Sequence, residues 1–224
     1  MRNIQLITND IYHIYNRGVE KRNIFLDNND YFRFIHDLYE FNDTAFAGKF
    51  SNAQQSVTRL PIVKKRELIV EILAFALMPN HFHLLIKQKK DNGISNFMHK
   101  IGVGYTMYFN EKNDRVGHLF QGKFKAVPLQ NDIHFKYLPH YIHLNPMKII
   151  RSSVHDNENK LKILEKYRWS SYLDYIGIKN FPSIISLELR NNLWGNANKY
   201  NADLKDCYNA LPMRDLDNII IEKN

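Results

Sequence analysis

Residues 68–88 read LIVEILAFALMPNHFHLLIKQ, and this stretch decides the fold. Two apolar runs, 68–76 and 82–88, flank Met78-Pro79-Asn80, a turn-forming break, so the segment predicts two antiparallel strands joined at that turn. Side chains alternate faces along a strand, so His81 and His83 point one way, while Phe82, Leu84 and Ile86 point to a core on the other side. Two imidazoles converging on one point suit a divalent transition metal. Taken alone, the same spacing also describes two hydrogen-bonded surface histidines.

Working outward, residues 11–17 (IYHIYNR) are aromatic and β-branched and stop at Gly18, which predicts a first strand. Residues 29–41 carry Tyr31, Phe34, Ile35 and Leu38 at helical spacing, with Asn28 or Asn29 as N-cap. Residues 43–66 show no sustained period and contain Lys64-Lys65-Arg66, the pattern of a long connection or lid. Residues 92–112 predict a helix opened by an Asp or Asn cap, which Gly102 and Gly104 weaken. Residues 117–128 alternate and predict a returning strand, and 132–144 a further helix. The order β, α, β, β, α, β, α defines an α+β protein with an antiparallel sheet and helices packed on it. Beyond residue 150, helical patterns at 160–167, 186–194 and 201–211 predict a helical C-terminal extension, dividing the chain into a domain of 1–150 and an extension of 151–224.

A chain of 224 residues, 44% hydrophobic, supports one full core with an appendage. Thirty-one Lys and Arg against 23 Asp and Glu leave +8, which favours a polyanionic partner such as nucleic acid or an acidic membrane surface. Cys207 is the only cysteine, which excludes an internal disulfide and a Cys-rich zinc module and reads as intracellular. The longest apolar run, 72–78, is far below the roughly 20 residues of a membrane helix, and the N-terminus lacks a signal-like stretch, so a soluble cytoplasmic protein with no membrane partner is expected.

On the helix 132–144, Tyr141 and Asn145 are four residues apart and share a face. Pro146 ends that helix and leaves Asn145 at its terminus, while Pro139 is a potential kink just before Tyr141. With 13 tyrosines in the chain, Tyr105, Tyr108 and Tyr137 compete with Tyr141 for any chemical role. Asn16, Arg17, Lys21 and Arg22 after the first strand, and Lys123 and Lys125 around Phe124, are candidate phosphate contacts with aromatic groups for base stacking, or else ordinary solvated faces. His13 and His118 could approach a metal but fit structural hydrogen bonding better.

Several ordered motifs carry a resemblance: LMPNHFHLL at 77–85, YIHLNP at 141–146, Tyr12-His13 with Asn16-Arg17-Gly18, GHLFQGKF at 117–124 and WSSY at 169–172. Together they resemble the single-tyrosine transposases of the HUH endonuclease superfamily (IS200-like), and within it the bacterial REP-associated tyrosine transposases. The resemblance implies a ferredoxin-like sheet, Tyr141 as nucleophile, and His81, His83 and Asn145 as ligands of Mg²⁺ or Mn²⁺. It further implies single-strand cleavage and strand transfer through a 5′-phosphotyrosine, on hairpin-forming repeated palindromic DNA, by a nucleoid-associated protein. Monomer and homodimer are both compatible with the sequence. Other readings are a rolling-circle initiator or relaxase, a DNA-binding protein domesticated from a transposase, and a zinc hydrolase; no Asp or Glu stands beside the His-x-His to serve the last.

Overall fold

The structure, a computed structural model, describes residues 4–44, 66–129, 132–150 and 160–210. Most of the predicted connection 43–66 lies outside the described residues. Four strands, β1 (Ile11–Arg17), β2 (Val70–Met78), β3 (His81–Gln88) and β4 (Lys125–Pro128), form one antiparallel sheet in the order β2-β3-β1-β4. With α1 (Asn28–Glu40) between β1 and β2 and α2 (Gly93–Lys112) between β3 and β4, this is the ferredoxin-like βαββαβ arrangement.

The alternation read in β3 sorts two cores. Tyr12, Ile14, Phe75, Leu77, Phe82, Leu84 and Ile86 bury against α1 and α2. Leu73, Ala74, Ala76 and Leu85 bury on the other face, beneath α3 (Asp132–Leu144). A sheet with one apolar face would leave this second side wet; here the strands are apolar on both faces because helices cover both.

The α1 cap is Asp27, not Asn28 or Asn29: its carboxylate accepts from Asn29 and Asp30 N–H, and Asp30 reaches back to Asp27 N–H, a reciprocal capping box. Asn92 holds the cap position of α2 in a left-handed conformation without a side-chain hydrogen bond. Helix α2 runs unbroken through Gly104, where a Cβ would come within 2.7 Å of the Phe41 ring; the missing side chain lets α1 and α2 pack closely. The strand predicted over 117–128 shortens to Lys125–Pro128, because Gly117 (φ 88) and Gly122 (φ 70) turn the chain, and only a bridge from Phe120 to Gly18 joins the rest to the sheet.

Helix α3 continues as a single element through Pro139, then α4 (Met147–Ile150) follows the Asn145-Pro146 break. The C-terminal helices are α5 (Lys160–Leu164), α6 (Tyr172–Tyr175), α7 (Glu188–Trp194) and α8 (Ala197–Ala210), the first shorter than predicted and the last starting earlier. They supply Leu164, Tyr172, Tyr175, Trp194, Tyr200 and Leu204 to the core beneath α3. Between α5 and α6, residues 169–171 lie along the outer edge of β2, with Leu77 N–H donating to Trp169 O (2.8 Å) and Ser171 N–H to Phe75 O (3.0 Å). An otherwise unpaired edge is thereby covered. Among the described residues, no helix is long and apolar enough to cross a membrane.

Candidate functional site

The site lies on the α3 side of the sheet, at the end where β1 finishes and β3 begins. Antiparallel pairing sets Arg17 opposite His81, Tyr15 opposite His83 and His13 opposite Leu85. His83 Nδ1 shares a 2.9 Å hydrogen bond with His13 Nε2, their rings stacked at 5.1 Å. His81 Nδ1 is 2.6 Å from Asn80 Oδ1. Asn80 is itself fixed: its Nδ2 donates to Lys21 O (3.2 Å) and its carbonyl accepts from Gly18 N–H (2.8 Å). Gly18 leaves room for the turn that follows it, since a Cβ there would lie 2.2 Å from Arg22 O.

Each imidazole therefore uses Nδ1 for a protein hydrogen bond, which sets its orientation and makes Nε2 the nitrogen that could ligate a metal. Burial, then the charges of Lys148 and Arg17, lower the His81 pKa to about 4. Burial, then His81, His13 and Lys148, hold His83 well below its ordinary value. Both rings are neutral at pH 7, the form that ligates a metal.

From α3, the Tyr141 ring is fully buried and stands edge-on to His83 (5.6 Å) and His13 (6.1 Å). Lys148 Nζ lies 5.1 Å from its centroid. Asn145 Nδ2 donates to Tyr141 O (3.0 Å), while the buried Asn145 Oδ1 has no hydrogen-bond partner among the described residues. A buried acceptor left without a donor costs about 1–3 kcal/mol, so its presence next to two neutral imidazoles fits a ligand role.

A cleft of about 350 Å³ opens here, lined by Tyr15, Asn16, Arg17, Lys21, Asn80, His81, His83, Gln121, Lys125, Asn145 and Lys148. Four of these residues are cationic and none is Asp or Glu. An isolated cation is repelled by such a cleft, whereas a phosphate is attracted, so metal and phosphate would enter together. The donors present, two imidazoles and an amide oxygen, fit a divalent ion on these terms. No group of three or more His, Cys, Asp or Glu able to hold a metal occurs among the described residues.

Of the candidate phosphate contacts, Asn16, Arg17, Lys21 and Lys125 line this cleft. Arg22 instead faces Glu20 on the surface (3.4 Å). Lys123 lines a second, larger cavity of about 700 Å³ between α2 and residues 118–124, mostly apolar and sharing Asn16 with the cleft; His118 lies there too, away from the imidazole pair. The larger cavity carries no cluster of titratable groups like that of the smaller one. Tyr105 and Tyr108 donate to Ile24 O (2.6 Å) and Asp30 (3.0 Å) on the opposite side of the sheet, and so cannot serve this site. Tyr137 packs, partly buried, against the second core. Lys148 and Tyr15 were not visible in the sequence as site residues, because only the strand pairing and the α3–α4 break bring them here.

Fold and cleft together define an α+β sheet protein with a basic cleft beside a buried tyrosine. Residues 50–145 match the family model described as transposase IS200 like. The chain is similar in fold to a solved structure of a REP-associated tyrosine transposase bound to a REP hairpin, with a TM-score of 0.53, 14% identity, and coverage of 84% of this chain and 92% of that one. No curated protein matches the chain in sequence.

Proposed function

We propose that this protein cleaves and rejoins single-stranded DNA beside a hairpin, with Tyr141 as nucleophile and His81, His83 and Asn145 holding a divalent metal. The observation that carries the reading is the convergence of two neutral, Nε2-presenting imidazoles and a donorless buried Asn145 oxygen beside one buried tyrosine. The likeness in fold to a hairpin-bound transposase supports the substrate class.

In this reading Arg17, Lys21 and Lys125 hold the backbone on either side of the scissile phosphate. His81, His83 and Asn145 would hold the metal, which when bound would polarise a non-bridging oxygen of the phosphate. The Tyr141 oxygen attacks phosphorus, the bond to the 3′ oxygen breaks, and that oxygen takes up a proton as the free 3′-hydroxyl. The phosphate stays esterified to Tyr141 through the DNA 5′ end. The phenol proton passes to solvent as the attack proceeds, and Lys148, 5.1 Å from the Tyr141 ring, adds positive charge beside the nucleophile. Because the diester is conserved on Tyr141, rejoining to another 3′-hydroxyl is the same reaction reversed and requires no nucleotide cofactor. Tyr141 is fully buried beside the cleft, so reaction requires local opening of the structure around it.

The test is incubation with Mn²⁺ and 5′- or 3′-labelled single-stranded hairpins, followed by denaturing electrophoresis. A covalent adduct is expected with the 3′-labelled strand only, the 5′-labelled fragment being released with a free 3′-hydroxyl, and the adduct should be absent in Tyr141→Phe and reduced at least about 100-fold in His81→Ala. Hairpin binding without any adduct would instead support the domesticated DNA-binding reading, and cleavage surviving Tyr141→Phe would remove Tyr141 from the mechanism.

A further inference from the structure

The side of α3 turned away from the cleft is held by polar contacts where apolar packing alone would have filled the space. His143 follows Tyr141 by two residues and precedes Asn145 by two, so at about 100° per residue it projects from the opposite side of the helix to both. It is fully buried, and both ring nitrogens are engaged: Nδ1 with the Tyr200 hydroxyl of α8 (2.6 Å) and Nε2 with Ser171 Oγ (2.7 Å). Ser171 is tied to the middle of β2, accepting from Phe75 N–H (2.8 Å) and lying 3.3 Å from Phe75 O. One arrangement uses every donor: Tyr200 O–H donates to Nδ1, Nε2–H to Ser171 Oγ, and Ser171 O–H to Phe75 O.

We propose that His143 is a positioning residue, and that the buried chain Tyr200–His143–Ser171–Phe75 fixes the rotation of α3 on the sheet so that Tyr141 and Asn145 meet β3, making α8 part of the catalytic apparatus. The inference rests on the proposed role of Tyr141. Apolar contacts between α3 and the sheet tolerate small rotations at little cost, whereas two directional hydrogen bonds at one ring, both in a dry interior, do not. A rotation that moved the Tyr141 oxygen by about 1 Å would cost on the order of 100-fold in rate. The chain also joins three separate stretches of sequence, the helix of the tyrosine, the β2 edge cover and α8, at a single imidazole.

Two full-length variants test it. Tyr200→Phe keeps the ring packing on Tyr175 and Trp194 and deletes only the donor; Ser171→Ala deletes the anchor to β2. Nuclear Overhauser contacts between the Tyr141 ring and the His83 and His13 rings report the position of α3 without reference to activity. Single-turnover adduct formation at saturating hairpin separates the rate constant from the fraction of active molecules. The expected result for Tyr200→Phe is a folded protein with weakened or shifted Tyr141–His83 contacts, hairpin affinity within about twofold, an unchanged adduct amplitude and a rate constant down by about 10- to 100-fold. Unchanged ring contacts and an unchanged rate constant, with only a lower melting temperature, would reduce the chain to stabilisation and overturn the proposal. If the wild type forms no adduct, the transposase reading falls, and the ring contacts alone then decide whether Tyr200 positions α3.

Discussion

At the residue scale, the proposed ligand set makes a demand on metal identity. Mg²⁺ prefers oxygen ligands and near-ideal octahedral geometry, while Mn²⁺ accepts imidazole nitrogen more readily. With two imidazoles and one amide, adduct formation should be faster with Mn²⁺ than with Mg²⁺ at equal concentration, and chelation should abolish it. Equal or reversed rates in parallel metal titrations would count against His81, His83 and Asn145 as the ligands. Another residue sets a pH dependence of stability away from the site. Asp37 on α1 lies 2.9 Å from Arg33, yet its carboxyl is pushed up to about 6, because burial outweighs the pull of Arg33 and His36. Burial wins since Asp37 is 1% exposed while the Arg33 side chain is 25% exposed and shares its charge with water. A raised folded-state pKa means that the folded chain holds this proton more tightly. The contribution is present in full below about pH 4 and is lost as pH rises to about 6. Asp37→Asn should therefore gain on the wild type by at most about 3 kcal/mol between pH 4 and 7, read as the difference in denaturant unfolding free energies. A pH-independent difference would show that Asp37 titrates at an ordinary value.

At the scale of elements, the cleft's cations come from three places: Arg17 and Lys21 at and beyond the end of β1, Lys125 at the start of β4, and Lys148 in α4. If all four meet phosphates of a single strand, the slope of log affinity against log salt should be about −3, at about −0.7 per contact. Lys125→Ala should flatten it by about 0.7, measured without metal, whereas Lys123→Ala, outside the cleft, should leave it nearly unchanged. The difference between Lys123 and Lys125 illustrates what the sequence could convey. Both alternate with Phe124 and read alike; Gly122 at φ 70 turns the chain, and only Lys125 enters the sheet. Strand β1 and helix α3 were legible to the residue, because period, composition and punctuation agreed there. The α1 cap was misread, since Asn28 and Asn29 are as good caps as Asp27 by type and the reciprocal bond with Asp30 decides between them. In the site, the alternation that faces His81 and His83 the same way was visible in residues 81–86. The hydrogen bond from His13 to His83 needed the pairing register, and the place of Lys148 needed the break at Pro146, so neither could be read in advance.

At the scale of the whole molecule, every proposed chemical residue precedes position 150, yet the face of the sheet on which those residues sit is closed by the chain that follows. We propose a boundary near 150 as a division of roles, with residues before it carrying the proposed chemistry and residues 160–210 supporting them. Residues 160–210 bring Leu164, Tyr172, Tyr175, Trp194, Tyr200 and Leu204 against Leu73, Ala74, Leu85, Leu138 and Ile142, and residues 169–171 cover the edge of β2. Burying a large apolar side chain contributes about 1.5–3 kcal/mol, so losing six exceeds the 5–15 kcal/mol that typically separates a folded domain from its unfolded chain, or comes close to it. A chain ended at residue 159 should then expose an apolar face and an open strand edge. It should bind a hydrophobic dye, lose its cooperative melt and aggregate, even though the β, α, β, β, α, β, α order is complete. Retention of a sharp thermal transition by that truncated chain would mean that the ferredoxin-like unit is self-sufficient.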